Sequence, residues 1–98
     1  MDRRQRPTPH PQVAATVVDG QAVIVMADSG QVTVLNEVGT RIWQLSDGMR
    51  SLEEIIATIV DEYEVTPEVA WQDAEVFLGR LIEVQAIQMN DPQTADED

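Results

Sequence analysis

The sequence predicts an α+β fold, a three-stranded antiparallel meander followed by three helices. Three short runs rich in Val, Ile and Thr come first, and after Leu35 the apolar period changes from two to about 3.6. The runs are Val13 to Val18, Ala22 to Ala27 and Gln31 to Leu35. Asp19-Gly20 joins the first two and suits a tight hairpin that needs positive φ, while Asp28-Ser29-Gly30 suits a three-residue loop with Gly30 left-handed.

Each helix carries its own start signal. Asn36 caps the first, with Val38, Ile42 and Leu45 on one face, Trp43 beside them, and Asp47-Gly48 as the stop. Ser51 and Glu54 have the spacing of a capping box and open the second, whose stripe is Leu52, Ile55, Ile56, Ile59 and Tyr63. Thr66 caps the third and Pro67 fills its first turn, where a missing N–H costs nothing. This helix runs to about Val84, with Ala70, Ala74, Phe77, Leu78 and Leu81 on its core side and Val69, Asp73, Val76 and Arg80 in an adjacent stripe. Strands followed by helices, the last two joined by a tight turn, match a winged helix-turn-helix topology.

The folded unit spans residues 13–89. Residues 1–12, with Pro7, Pro9 and Pro11, are expected as a flexible arm, and residues 90–98 as a disordered acidic tail. Ala86 to Met89 fits either a short strand or packed coil.

Composition excludes several function classes. Eighteen acidic residues face six arginines and no lysine, for a net charge of −12. Such a chain is repelled by phosphate backbones and anionic membranes, so no nucleic-acid or membrane partner is expected. Helix three offers Arg80, Gln72 and Gln85 among Glu68, Asp73, Glu75 and Glu83, which is the wrong balance for reading DNA. Cysteine is absent and the one histidine, His10, stands in the Pro-rich arm, so neither a metal site nor a catalytic centre is expected, and no cofactor. The acid pairs Glu53-Glu54 and Asp61-Glu62 fall on the outer face of helix two, as solvated surface. Asp28-Ser29 has the look of an acyl-carrier attachment site, but such a serine opens a helix and Ser29 lies between two β runs. No apolar run approaches the ~18 residues that cross a bilayer. No signal peptide is recognisable either, which points to a soluble cytoplasmic protein.

What remains is the third strand. Gln31, Val32, Thr33, Val34 and Leu35 are uncharged and free of proline, and a meander leaves such a strand at the sheet edge with unpaired backbone groups. Two readings stay open: an added peptide strand completes the edge, or helix three or a second copy of the chain covers it.

From Leu35 to Trp43 the sequence LNEVGTRIW resembles the PqqD-like family of recognition elements for ribosomally made, post-translationally modified peptides. The resemblance takes in AVIVMADSGQVTVLN, the helix SLEEIIATIVDEYEV and the pattern Asp73-x-x-x-Phe77-Leu78-x-x-Leu81. It departs at the end, where the family commonly has a glycine and this chain has Gln85-Ala86-Ile87. The resemblance implies a winged helix-turn-helix fold, no enzymatic activity, and capture of a precursor's leader peptide as an antiparallel strand between strand three and helix three. On this chain the backbone contacts then fall on Gln31, Val32, Thr33, Val34 and Leu35. The helical wall falls on Val69, Asp73, Val76 and Arg80, although Val69 and Val76 fit packing against helix one or two equally well. The implied partners are the leader peptide and a modifying or processing enzyme, such as a radical S-adenosylmethionine enzyme or a leader peptidase, with the acidic second helix as the candidate enzyme-facing surface. The alternative is a self-associating structural or regulatory module, a homodimer joined through the open edge.

Overall fold

The computed structural model describes residues 2–91. Eight elements follow in order: β1 (Arg6–Pro9), β2 (Val13–Val18), β3 (Gln21–Met26), β4 (Val32–Val34), α1 (Glu37–Leu45), α2 (Leu52–Tyr63), α3 (Pro67–Glu83) and β5 (Ile87–Asn90). The meander β2-β3-β4 and the three helices stand as the sequence predicts, and β1 with β5 forms a second, two-stranded sheet.

Local chemistry sets the boundaries. Asp19 and Gly20 have φ of 54° and 81°, so both central residues of the β2–β3 turn are left-handed, as a two-residue hairpin requires. The Asn36 side chain accepts from the Gly39 N–H at 2.7 Å, and Thr66 accepts from the Val69 N–H at 3.3 Å. Ser51 and Glu54 close a reciprocal capping box. Each cap satisfies helix N–H groups that would otherwise lack partners.

One face of the meander is buried and the other is not. Ala22, Ile24, Met26 and Leu35 join Ile42, Trp43 and Leu45 of α1, Leu52, Ile55, Ile56 and Ile59 of α2, and Ala70, Ala74, Leu78 and Leu81 of α3 in one core. Trp43 keeps 9% of its surface exposed, so it belongs to the core as the sequence predicts. A buried threonine ties sheet to helices: the Thr40 hydroxyl accepts from the Ala22 N–H at 2.8 Å and donates to the Leu35 carbonyl at 3.4 Å. The outer acids are occupied in part, since Arg41 holds Glu62 through two bonds of 2.9 Å. Hydrogen bonding from Arg41 lowers the Glu62 pKa. Any stability it lends is present above the unfolded carboxylate pKa and fades as the pH falls through the folded one.

The arm expected over residues 1–12 is corrected by the structure. Arg6–Pro9 pair antiparallel with Ile87–Asn90, and Pro7 is fully buried. The His10 N–H donates to the Ala86 carbonyl at 3.0 Å, so residues 6, 8 and 10 face β5 and the N–H groups that Pro7 and Pro9 lack fall on the side away from it. On that side the carbonyls of Arg3, Gln5 and Pro7 accept from the N–H groups of Glu53, Leu52 and Gly48. The segment therefore straps the start of α2 and the loop before it. Ile87–Asn90 takes the strand option left open for the apolar end, and it carries Asn90 out of the expected tail. Asp91 follows it as exposed coil, and residues 92–98 of that tail lie outside the described residues.

The departure at the end of α3 has a visible cost. Gln85 sits at φ 63°, in the left-handed region where a glycine is unstrained. Gln85→Gly is expected to raise unfolding stability by about 0.5–1 kcal/mol, the left-handed strain relieved less the added freedom of the unfolded chain. Urea unfolding checks this, and a destabilised Gln85→Gly protein would assign the side chain a packing role.

Candidate functional site

The edge of β4 is where the fold leaves hydrogen-bonding groups unused. In the β3–β4 pairing Thr33 lies opposite Ile24. The flanking bonds, Leu35 N–H to the Ala22 carbonyl at 2.8 Å and Met26 N–H to the Gln31 carbonyl at 2.9 Å, fix which residues face β3. Residues 31, 33 and 35 turn their backbone groups inward, and by the alternation of an antiparallel ladder Val32 and Val34 turn theirs outward. No strand lies on that side among the described residues. The Val32 and Val34 side chains are 56% and 57% exposed on the outer face of the sheet.

A cleft runs alongside this edge in two connected parts. The smaller, about 170 Å³, lies between β4 and α3, where Thr33, Val34 and Leu35 face Phe77, Arg80 and Leu81. The larger, about 400 Å³, lies between the start of α1 and α3, where Asn36, Val38, Gly39 and Ile42 face Asp73, Val76, Phe77 and Arg80. Asn36, Phe77 and Arg80 border both, so the two parts form one groove. Its walls are mostly apolar, with one cation and one carboxylate. Arg80 makes no ion pair among the described residues, so the pairing with Asp73 that the stripe allows is not formed.

The structure thus brings together Thr33, Val34, Leu35, Asp73, Val76 and Arg80 of the residues singled out from sequence. Gln31 and Val32 border the strand edge but not the cleft. Val69 is elsewhere: it lines a separate depression with Pro67, Glu68, Trp71, Gln72 and Arg3, whose guanidinium stacks 4.8 Å from the Trp71 ring centroid. Phe77 and Gly39 were not expected at the site. Phe77 follows the core spacing of α3 yet is only half-buried, because α1 and β4 diverge over it. Gly39 permits the close approach of α1 to α3, since a Cβ there would lie 2.9 Å from Phe77 Cε1 and 3.1 Å from Asn36 Oδ1.

Among the described residues no group of three or more His, Asp or Glu is placed to hold a metal ion. Glu54 is engaged in its capping box, Glu62 with Arg41, and His10 Nδ1 with the Gln12 N–H at 3.1 Å. No helix among the described residues is long and apolar enough to cross a membrane.

A meander with an open outer strand, backed by three helices and grooved along that strand, is a winged helix-turn-helix architecture. The chain belongs to the family of Coenzyme PQQ synthesis protein D (PqqD), whose model matches residues 21–87. Two solved structures share its fold. One is TbiB1 in complex with the TbiA(beta) leader peptide, with TM-score 0.77 and 27% identity over 83% of this chain and 94% of that one. The other is lasso peptide synthetase B1 complexed with the leader peptide, with TM-score 0.77 and 22% identity over 85% of this chain and 98% of that one. No curated protein matches the chain.

The cleft floor is tightly built at the Gly39–Phe77 contact. Glycine to alanine within a helix normally gains about 1 kcal/mol. At Gly39 the added methyl must displace the Phe77 ring and the Asn36 cap, and Gly39→Ala is expected instead to lose about 1–3 kcal/mol. Chemical unfolding decides this, since a stability gain would show that the floor yields freely.

Proposed function

We propose that this chain is a non-catalytic recognition element that takes the leader segment of a ribosomally made precursor peptide as an added antiparallel strand on β4. It then delivers the precursor to a modifying or processing enzyme, such as a radical S-adenosylmethionine enzyme or a leader peptidase. The observation that carries this reading is the pair of outward-turned backbone units at Val32 and Val34 beside a groove. Membership in the PqqD family supports it, as do two structural neighbours captured with leader peptides.

In this arrangement two leader residues exchange N–H and C=O bonds with Val32 and Val34. The leader side chain between them, opposite Thr33, turns into the groove toward Phe77 and Arg80. Backbone pairing supplies affinity for any extended segment, and the groove wall of Asp73, Val76, Phe77 and Arg80 supplies selectivity. Tethering the precursor raises its local concentration at the enzyme and leaves the core peptide free for chemistry. Of the acids on α2, Glu53 and Asp61 are exposed and outside the cap and the Arg41 pair, which makes them the candidates for meeting the enzyme.

Proline substitutions separate the two sides of the strand. Val34→Pro removes an N–H that points outward and leaves the β3 pairing intact, so leader affinity is expected to fall about tenfold or more with the fold kept. Thr33→Pro removes an inward N–H and is expected to loosen β4 itself. Isothermal titration beside circular dichroism reads both, and full leader affinity in a folded Val34→Pro protein would sink strand addition.

Arg80 tests the helical wall. An unpaired guanidinium in a partly desolvated groove can make a charge-assisted bond to a leader carboxylate worth roughly 1.5–3 kcal/mol. Arg80→Ala is then expected to weaken precursor binding about tenfold or more, while Glu75→Ala on the exposed face changes it little. Fluorescence polarisation with a labelled precursor makes the comparison, and equal affinity for all three proteins would remove this face of α3 from the site.

A further inference from the structure

Two opposite charges stand unused on one wall of the groove beside β4. Asp73 and Arg80 both line its larger part, both are exposed, and neither makes an ion pair among the described residues. Seven residues apart on α3, they stand about 10 Å from each other along its axis. Apolar Val76 and Phe77 line the wall between them. Each charge is therefore left to meet one brought by a ligand.

The fold sets the direction in which a leader passes these two groups. The chain from Thr33 to Asn36 faces Phe77, Arg80 and Leu81, and its continuation from Asn36 to Ile42 faces Asp73, Val76, Phe77 and Arg80. β4 and the start of α1 thus run against α3. A leader antiparallel to β4 runs with α3 instead, and it passes Asp73 before Arg80. The core peptide, which follows the leader, then leaves past Val32 and the β3–β4 turn. Thr33 lies opposite buried Ile24, and Leu35 is itself buried, so both belong to the inner face of the sheet. The leader side chains opposite them enter the groove together, two residues and about 7 Å apart. The later one, opposite Thr33, reaches Arg80, and the earlier one, opposite Leu35, meets the wider part that Asp73 lines.

We infer that the groove reads a charge order: it selects leader segments in which a basic residue stands two positions before an acidic one, the basic side chain on Asp73 and the acidic one on Arg80. The two parts of the groove fit this assignment. The part that takes the earlier residue measures about 400 Å³ against about 170 Å³ for the other, so the longer side chain has the larger space. A lysine or arginine there lays its stem along Val38 and Val76 and extends its charge to Asp73, which covers the difference between the strand step and the helix separation. A carboxylate opposite Thr33 presents two oxygens to the Arg80 guanidinium. The reverse order sets like charge against like at both positions, so the same two residues select one polarity and reject the other. This inference rests on strand addition at β4 and adds to it the direction and composition of the segment.

Random peptides displayed on phage and selected on the full chain test it. The wild type is expected to enrich sequences in which a basic residue precedes an acidic one by two positions. Asp73→Arg is expected to turn the first position acidic, Arg80→Glu to turn the second basic, and the double variant to reverse the order. Glu75→Arg changes the net charge as much as Asp73→Arg does and is expected to leave the pattern alone. In a selected peptide made synthetically, exchanging the two charged residues is expected to weaken binding about tenfold or more. An acid-first order, the absence of a charge pattern, or a pattern that Glu75→Arg shifts as Asp73→Arg does overturns the inference. Failure of the underlying reading looks different: peptides enriched equally by a folded Val34→Pro protein, or by neither protein, remove strand addition itself, and the charge order falls with it.

Discussion

The hydroxyl of Thr40 decides where the sheet ends and the groove begins. At the start of β3 the Ala22 carbonyl still accepts from Leu35, but the next ladder bond, Ala22 N–H to the Leu35 carbonyl, is intercepted by Thr40 Oγ. The hydroxyl satisfies both buried groups at once, so the strands can part without leaving an unpaired donor or acceptor in the core. The chain then turns through Asn36 into α1 rather than continuing along β3. That divergence opens the space over Phe77, keeps β4 to Val32–Val34, and aims the strand's free edge alongside α3. A valine at position 40 would fill the same volume but leave Ala22 and Leu35 unsatisfied.

Much of this was legible because the determinants are local. Asn36, Ser51 with Glu54, and Thr66 with Pro67 each cap the helix they precede through bonds spanning three residues, and Asp19-Gly20 carries its turn in its own backbone preferences. The β1–β5 sheet was not legible in the same way, since its two strands are separated by almost the whole chain and only the folded core brings them together. A signal was nevertheless present. Pro7, Pro9 and Pro11 recur with a period of two, the spacing that puts every missing N–H on one side of an extended strand and leaves the other side free to pair. Counting prolines argues for an arm, whereas reading their spacing argues for an edge strand.

The site was read by face and missed by length. Helical periodicity puts Val69, Asp73, Val76 and Arg80 on one stripe of α3, but it does not say how far along the stripe another element lies opposite. β4 and the first turns of α1 reach Asp73, Val76 and Arg80, while Val69, one turn nearer the start of α3, shares its surroundings with Arg3 and Trp71. Phe77 fails in the other direction. Its spacing is that of the core, and its half-exposure arises from a gap between two elements that meet it from different sides. Such a gap is a property of three segments at once, and no pattern within α3 encodes it.

The distribution of charge explains why the proposed point of contact is a strand edge rather than a side-chain cluster. Acidic residues crowd the exposed faces of α2 and α3, while the strands carry none. A partner approaching the helices meets a diffuse negative field that salt screens within about 10 Å, whereas one approaching the sheet meets directional backbone donors and acceptors. Backbone pairing alone does not distinguish one extended segment from another, because every residue except proline offers the same N–H and C=O. In the proposed reading, discrimination at β4 falls to the few side chains that touch the groove, and among them Asn36 is committed to its cap. Asp73 and Arg80 are the charged groups left to choose, set on the same helix wall with apolar Val76 and Phe77 between them in sequence. A leader bound as proposed would place an apolar side chain against Phe77 and polar or charged groups within reach of that pair, a requirement strict enough to select among extended peptides that the open strand alone would accept.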